Sequence, residues 1–132
     1  MAFTEKMNPE WITINFNEEA VDWTNKFAEY LAKDTKLEKG FAKALTTSQL
    51  RKFFGQLRRI QADYEKLQKE IPLLKPKLAY AVGRAEKDNK INDFYLQIEG
   101  GLSLIKGNKE SFDRFISLTE SIVAYHKFHG GK

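Results

Sequence analysis

Apolar side chains recur three and four residues apart along almost the whole of this chain, and only 3 of its 132 residues are prolines. That spacing puts them on one side of a helix and does not suit the two-residue alternation of a half-buried strand. The clearest run is Leu50, Phe53, Phe54, Leu57, Ile60, Tyr64 and Leu67. Thr46 and Gln49 stand before it as a capping box, in which two side chains satisfy two backbone amides. Pro72 has no amide hydrogen, so it is expected to end this helix.

Four more helices are expected. Asn17 caps the first, with Glu18 and Glu19 in the turn where negative charge favours the helix dipole. Val21, Trp23, Phe27, Tyr30 and Leu31 form its apolar side, and it ends near Asp34. Pro76 suits the first turn of the next, which carries Leu78, Ala81, Val82 and Ala85 and breaks at Asp88-Asn89-Lys90. Another starts at Asn92 and includes Phe94, Tyr95, Ile98, Leu102 and Ile105. Gly100-Gly101 inside it costs about 1 kcal/mol per glycine and marks a kink or a tight helix crossing. Gly107 stops that helix, and Asn108 caps the last, with Phe112, Phe115, Ile116, Thr119, Ile122 and Val123, which ends near Phe128.

Phe41 to Leu45 is ambiguous and is compatible with a short helical turn. No strand hairpin signal competes with the helical pattern. The expected fold is all-α, a compact bundle of about five helices with short connections. Residues 1–16 are expected to be a loosely ordered lead-in. Its Trp11, Ile12, Ile14 and Phe16 pack on this domain or on a neighbour. Residues 17–129 form a single helical-bundle domain, and residues 130–132 a flexible tail.

Composition excludes some chemistry. With no cysteine there is no disulfide, no thiolate nucleophile and no Cys-based metal site. No run of 18 apolar residues exists, so no membrane span is expected, and no secretory signal is legible near the start. A cytoplasmic location is the expectation. The two histidines, His126 and His129, lack an HExxH pattern and read as a frayed helix end, where His suits the dipole. Gly101 to Gly107 with Lys109 fails as a phosphate-binding P-loop, in spacing and in its ending. No catalytic group, metal site or cofactor site is expected.

Charge is more informative. Residues 1–40 carry 5 basic and 8 acidic side chains, residues 41–90 carry 12 and 5, and residues 91–132 carry 5 of each. The middle of the chain is therefore a basic block, which suggests a polyanionic partner. On the second helix Arg51 and Arg58 align, as do Lys52 and Arg59, with Lys66 extending the second row. On the third, Lys77, Arg84 and Lys87 form another row, with Tyr80 between them. Few acids stand three or four residues from the four on the second helix, so a phosphate surface is favoured over local ion pairs. Tyr80 reads as packing in preference to a base-stacking platform. No motif that reads base sequence is present, so contacts to phosphate are expected.

The segment Leu45-Thr46-Thr47-Ser48-Gln49-Leu50-Arg51-Lys52-Phe53-Phe54, followed by Leu74-Lys75-Pro76-Lys77-Leu78-Ala79-Tyr80-Ala81 and Arg84, resembles the small helical subunit of type III-A CRISPR effector (Csm) complexes. Phe115 and Ile122-Val123-Ala124-Tyr125-His126-Lys127 resemble that family's last helix. The likeness covers about residues 45–129. It implies a non-enzymatic subunit, present in several copies that stack along the guide-RNA backbone subunits and line the channel holding the guide–target RNA duplex. It also implies an antiviral role among other effector subunits, with Arg51 and Arg84 inside the matching segments.

The candidate nucleic-acid-binding residues are thus Arg51, Lys52, Arg58, Arg59, Lys77 and Arg84. The expected partners are guide RNA, target RNA, other subunits of the effector complex and further copies of this chain, as a dimer or filament. The competing reading is a helical protein–protein adaptor whose basic face docks an acidic protein. An enzyme using His126 and His129 is the third reading.

Overall fold

Side-chain caps set three helix starts where the sequence places them. In a computed structural model describing residues 3–132, Asn17 Oδ1 accepts the Ala20 amide at 3.1 Å, and Asn108 Oδ1 accepts that of Ser111 at 2.9 Å. At the third start Thr46 Oγ1 accepts the Gln49 amide at 3.1 Å, while Gln49 Oε1 accepts the Thr46 amide at 2.9 Å. The capping box is complete.

In chain order the elements are α1 (Glu10–Thr13), α2 (Glu18–Ala32), β1 (Thr35–Lys36), β2 (Phe41–Ala42), α3 (Thr47–Ala62) and α4 (Tyr64–Leu67). A 3-10 segment (Gln68–Leu73), α5 (Leu74–Arg84), α6 (Ile91–Ile105) and α7 (Lys109–Phe128) complete them. The five long helices, α2, α3, α5, α6 and α7, are the five expected, and the fold is all-α in character with one minimal strand pair. Helix α7 is the hub, packing against α1, α2, α3 and α6. Helix α5 instead packs on α6 and the 3-10 segment.

The core is aromatic. Trp11, Trp23, Phe3 and Phe27 cluster at the α1–α2 end, and Phe53 meets Phe94 and Phe115 edge-on at 5.7 and 6.5 Å between centroids. Such tilted and edge-on pairs add to area burial because the ring edge is positive and the face negative. In the N-terminal segment, α1 buries Trp11 and Ile12, the Met7 amide donates to Gln97 Oε1, and Trp23 Nε1 donates to the Glu5 carbonyl. Ile14 is exposed and Phe16 half-buried.

Two local expectations are corrected. The second helix does not run to Pro72. It ends at Ala62, because Asp63 leaves helical geometry and its amide bonds to Ile60 O. The chain then bends through α4 and a 3-10 segment that contains Pro72, which has no amide hydrogen to give. The bend lets Ile71 and Leu74 reach the core.

Phe41 to Leu45 is not a helical turn either. Thr35 pairs with Ala42, and Lys36 with Phe41, in a two-residue antiparallel ladder. Gly40 closes it with φ +80, a conformation costly for other residues. Asp34 stabilises the return by accepting the Ala44 amide at 2.8 Å, and that bond, with Lys43 nearby, lowers the Asp34 pKa.

Lys90 joins these parts. Its buried ammonium donates to Tyr30 O at 2.7 Å, Lys33 O at 2.6 Å and Thr35 Oγ1 at 2.7 Å. Three N–H groups meet three acceptors, two of them carbonyls at the end of α2, from Tyr30 in its last turn and from Lys33 just beyond it. The ammonium also lies 3.7 Å from the centroid of the Tyr30 ring. Burial pulls its pKa below the ordinary lysine value, against the opposing pull of Asp93 and Asp34. Tyr30 in turn donates to Asp93 Oδ2 at 2.7 Å, and burial with that bond raises its pKa well above the usual phenol range.

Gly101 marks the tight helix crossing. A Cβ there would stand 2.8 Å from Phe115 Cε1, whereas one on Gly100 meets nothing within 4 Å. Gly101→Ala is therefore expected to lower unfolding stability by about 1–3 kcal/mol. Gly100→Ala should raise it by up to about 1 kcal/mol, since only helix propensity changes. Urea titration of both variants checks the pair. Lys90→Met should cost about 3 kcal/mol in the same assay, because it strands two carbonyls and a hydroxyl.

Candidate nucleic-acid interface

All six candidate cations are exposed, and they differ in what surrounds them. Between α3 and α5 runs a groove of about 670 Å³, within the range of roughly 300–1,000 Å³ usual for ligand sites. Lys52, Lys77 and Arg84 line it. Its apolar lining includes Phe53, Leu78, Ala81 and Ile91, and no Asp or Glu contributes. Among the described residues, none of these three cations forms an ion pair or side-chain hydrogen bond within the protein, and the same holds for Arg51.

The other two arginines are engaged. Arg58 lies 4.0 Å from Glu120 Oε2 of α7, and its guanidinium stands 5.7 Å from the Phe54 ring centroid. Arg59 pairs with Glu70. Glu70 is 11 residues further on, so no i,i+4 count anticipates the pair. It arises because the bend at Asp63 folds the 3-10 segment back toward α3. The same bend removes Lys66 from the α3 row, and Lys87 falls in the turn beyond α5. Exposed ion pairs of this kind contribute between nothing and about 1 kcal/mol, so a phosphate can displace them at small cost.

Tyr80 departs from expectation. It is not packed: it lines the groove with 67% of its surface exposed, and the Arg84 guanidinium stands 5.6 Å from its ring centroid. Gln49, already engaged in the capping box, and Gln56, not a candidate from the sequence, also line the groove, and the buried Oε1 of Gln56 has no hydrogen-bond partner. A signal for this face existed. Gln49, Lys52, Phe53 and Gln56 follow helical spacing on α3, as Lys77, Tyr80, Ala81 and Arg84 do on α5.

His126 and His129 do not form a frayed end. His126 is 1% exposed, and its Nε2 lies 2.7 Å from Leu45 O. Gly131 packs on its ring so closely that a methyl group there would overlap it. His129 Nε2 lies 2.6 Å from Asn25 Oδ1. Both rings thus tie α7 to neighbouring segments. Among the described residues no helix is long and apolar enough to cross a membrane.

Over residues 18–132 the sequence matches the profile of the family described as Csm2 Type III-A. The chain belongs to the Csm2 type III-A family. It is therefore a subunit of a type III-A CRISPR effector assembly, the Csm complex, which contains other subunits. The Csm2 match reaches further toward the N-terminus than the likeness at residues 45–129 and takes in all of α2, while α1 lies outside it. No curated protein and no solved structure matches the chain.

Because the candidate cations are exposed and carry no core contacts, single glutamine substitutions at Arg51, Lys52, Lys77 and Arg84 should change stability by no more than about 0.5 kcal/mol. His126→Ala, by contrast, should cost about 2 kcal/mol by leaving the Leu45 carbonyl unpaired. Thermal melting of the five variants separates the two classes.

Proposed function

We propose that this Csm2-family chain is a non-catalytic small subunit that grips the guide and target RNA backbone through its basic surface. Several copies stack side by side along the RNA of a cytoplasmic ribonucleoprotein engaged in antiviral defence. The observation that carries this reading is the α3–α5 groove, which brings three unpaired cations together with no acid among them. Arg51, also unpaired, and Arg58 and Arg59, weakly paired, extend positive charge along α3.

A subunit repeated along a guide meets different bases in each copy. It gains nothing from reading base edges and binds through phosphate and sugar, which every position shares. Arginine's planar fork suits a phosphate, and lysine adds a mobile point charge. Contacts that are weak in one copy gain strength when several copies engage one strand. The exposed apolar side chains Leu73, Leu96 and Phe128 are available to contacts between subunits.

The isolated chain is expected to bind RNA weakly, with log K falling by about 0.7 per log unit of salt for each phosphate neutralised on a single strand. Lys77→Gln combined with Arg84→Gln should reduce that slope by about 1.4. Fluorescence anisotropy across a salt series measures both. An affinity independent of salt overturns the reading. If partner proteins stay bound when RNA is added in excess and no RNA is recovered with the chain, the basic face docks protein instead.

A further inference from the structure

We infer that the α3–α5 groove receives an unstacked nucleobase from a single-stranded stretch of RNA, with Tyr80 as its stacking surface and Lys52, Lys77 and Arg84 on the adjoining phosphates. This rests on the RNA-binding reading above and adds what the groove itself holds. A surface made only to follow a phosphate backbone needs cations and polar groups. This one surrounds a hollow lined by Phe53, Leu78, Ala81 and Ile91.

An A-form duplex keeps its bases stacked inside and offers no apolar group to such a hollow. An unstacked base does, because both of its faces are apolar and its sugar-phosphate neighbours are anionic. Tyr80 fits that ligand. Its ring lines the groove and lies largely in solvent, on the same helix as Lys77 and Arg84. Successive bases of single strands stack on such rings in a sequence-tolerant way, because every base has a π-face. The unpartnered amide oxygen of Gln56 leaves one acceptor in the lining unused. The absence of any carboxylate in the lining matches an anionic polymer better than an apolar protein segment.

The test uses the full chain and three probes of equal length: a single-stranded oligoribonucleotide, the same strand with abasic positions, and an A-form duplex. Anisotropy at low salt should show the abasic strand binding about tenfold more weakly than the base-bearing one. Tyr80→Ala should weaken the base-bearing strand by a similar factor while leaving the abasic strand and the duplex within twofold. Tyr80→Phe should restore binding, since stacking needs the ring and not the hydroxyl. The salt slope should be unchanged in both Tyr80 variants, whereas Arg84→Gln should lower it. Equal affinity for abasic and base-bearing strands, with salt dependence intact, overturns this inference and leaves backbone binding standing. Equal loss on all three probes in Tyr80→Ala overturns it as well. Failure of the unmodified chain to bind any probe in a salt-dependent way overturns both readings.

Discussion

The ammonium of Lys90 holds the architecture in register. Its three protons tie the carbonyl end of α2 to the first residue of β1, from a position one residue before α6 begins. The backbone of the same residue donates to Lys43 O at 2.8 Å, which adds the strand leading into α3. A buried charge is costly unless every proton finds an acceptor, and here all do. The start of α6 is therefore set to within a residue. Since α5 packs mainly on α6, the position of the groove follows from this contact too.

The groove arises from a division of labour between the two helices. Helix α3 buries Leu50, Phe53, Leu57 and Ile60 and packs on α7, so its outer face is free to carry charge. Helix α5 reaches the bundle through α6 and the 3-10 segment, which leaves space on the side toward α3. Three cations and one tyrosine occupy the rim of that space. Glu70, the nearest acid before α5, is engaged with Arg59.

What was legible in the sequence was local. The caps at Asn17, Thr46 and Asn108, the left-handed stop at Gly107 and the close approach at Gly101 all depend on residues near one another in the chain or on glycine itself. What was not legible depended on where distant segments meet. Nothing near Asp63 signals a bend, because Tyr64 and Leu67 continue the apolar spacing even though they end up only half-buried. The Arg59–Glu70 pair follows from that bend. The burial of His126 against Leu45 O and the exposure of Tyr80 are likewise properties of the packing. The basic block was visible as composition, but its division into a groove set and a paired set required the fold. Similarity to the Csm family was legible from residue 45 onward, whereas the family match extends to α2.

Helix α5 is tethered lightly for its length. Of its 11 residues only Leu74 and Leu78 are buried, both in its first half, and it is preceded by a 3-10 coil. Segments with few buried apolar contacts open at lower free energy than the core and exchange their amide protons sooner. The half of α5 that carries Tyr80 and Arg84 meets the core through the half-buried Ala81 and Val82, so its amide protons are expected to exchange ahead of those of α7, whose buried side chains run along its whole length.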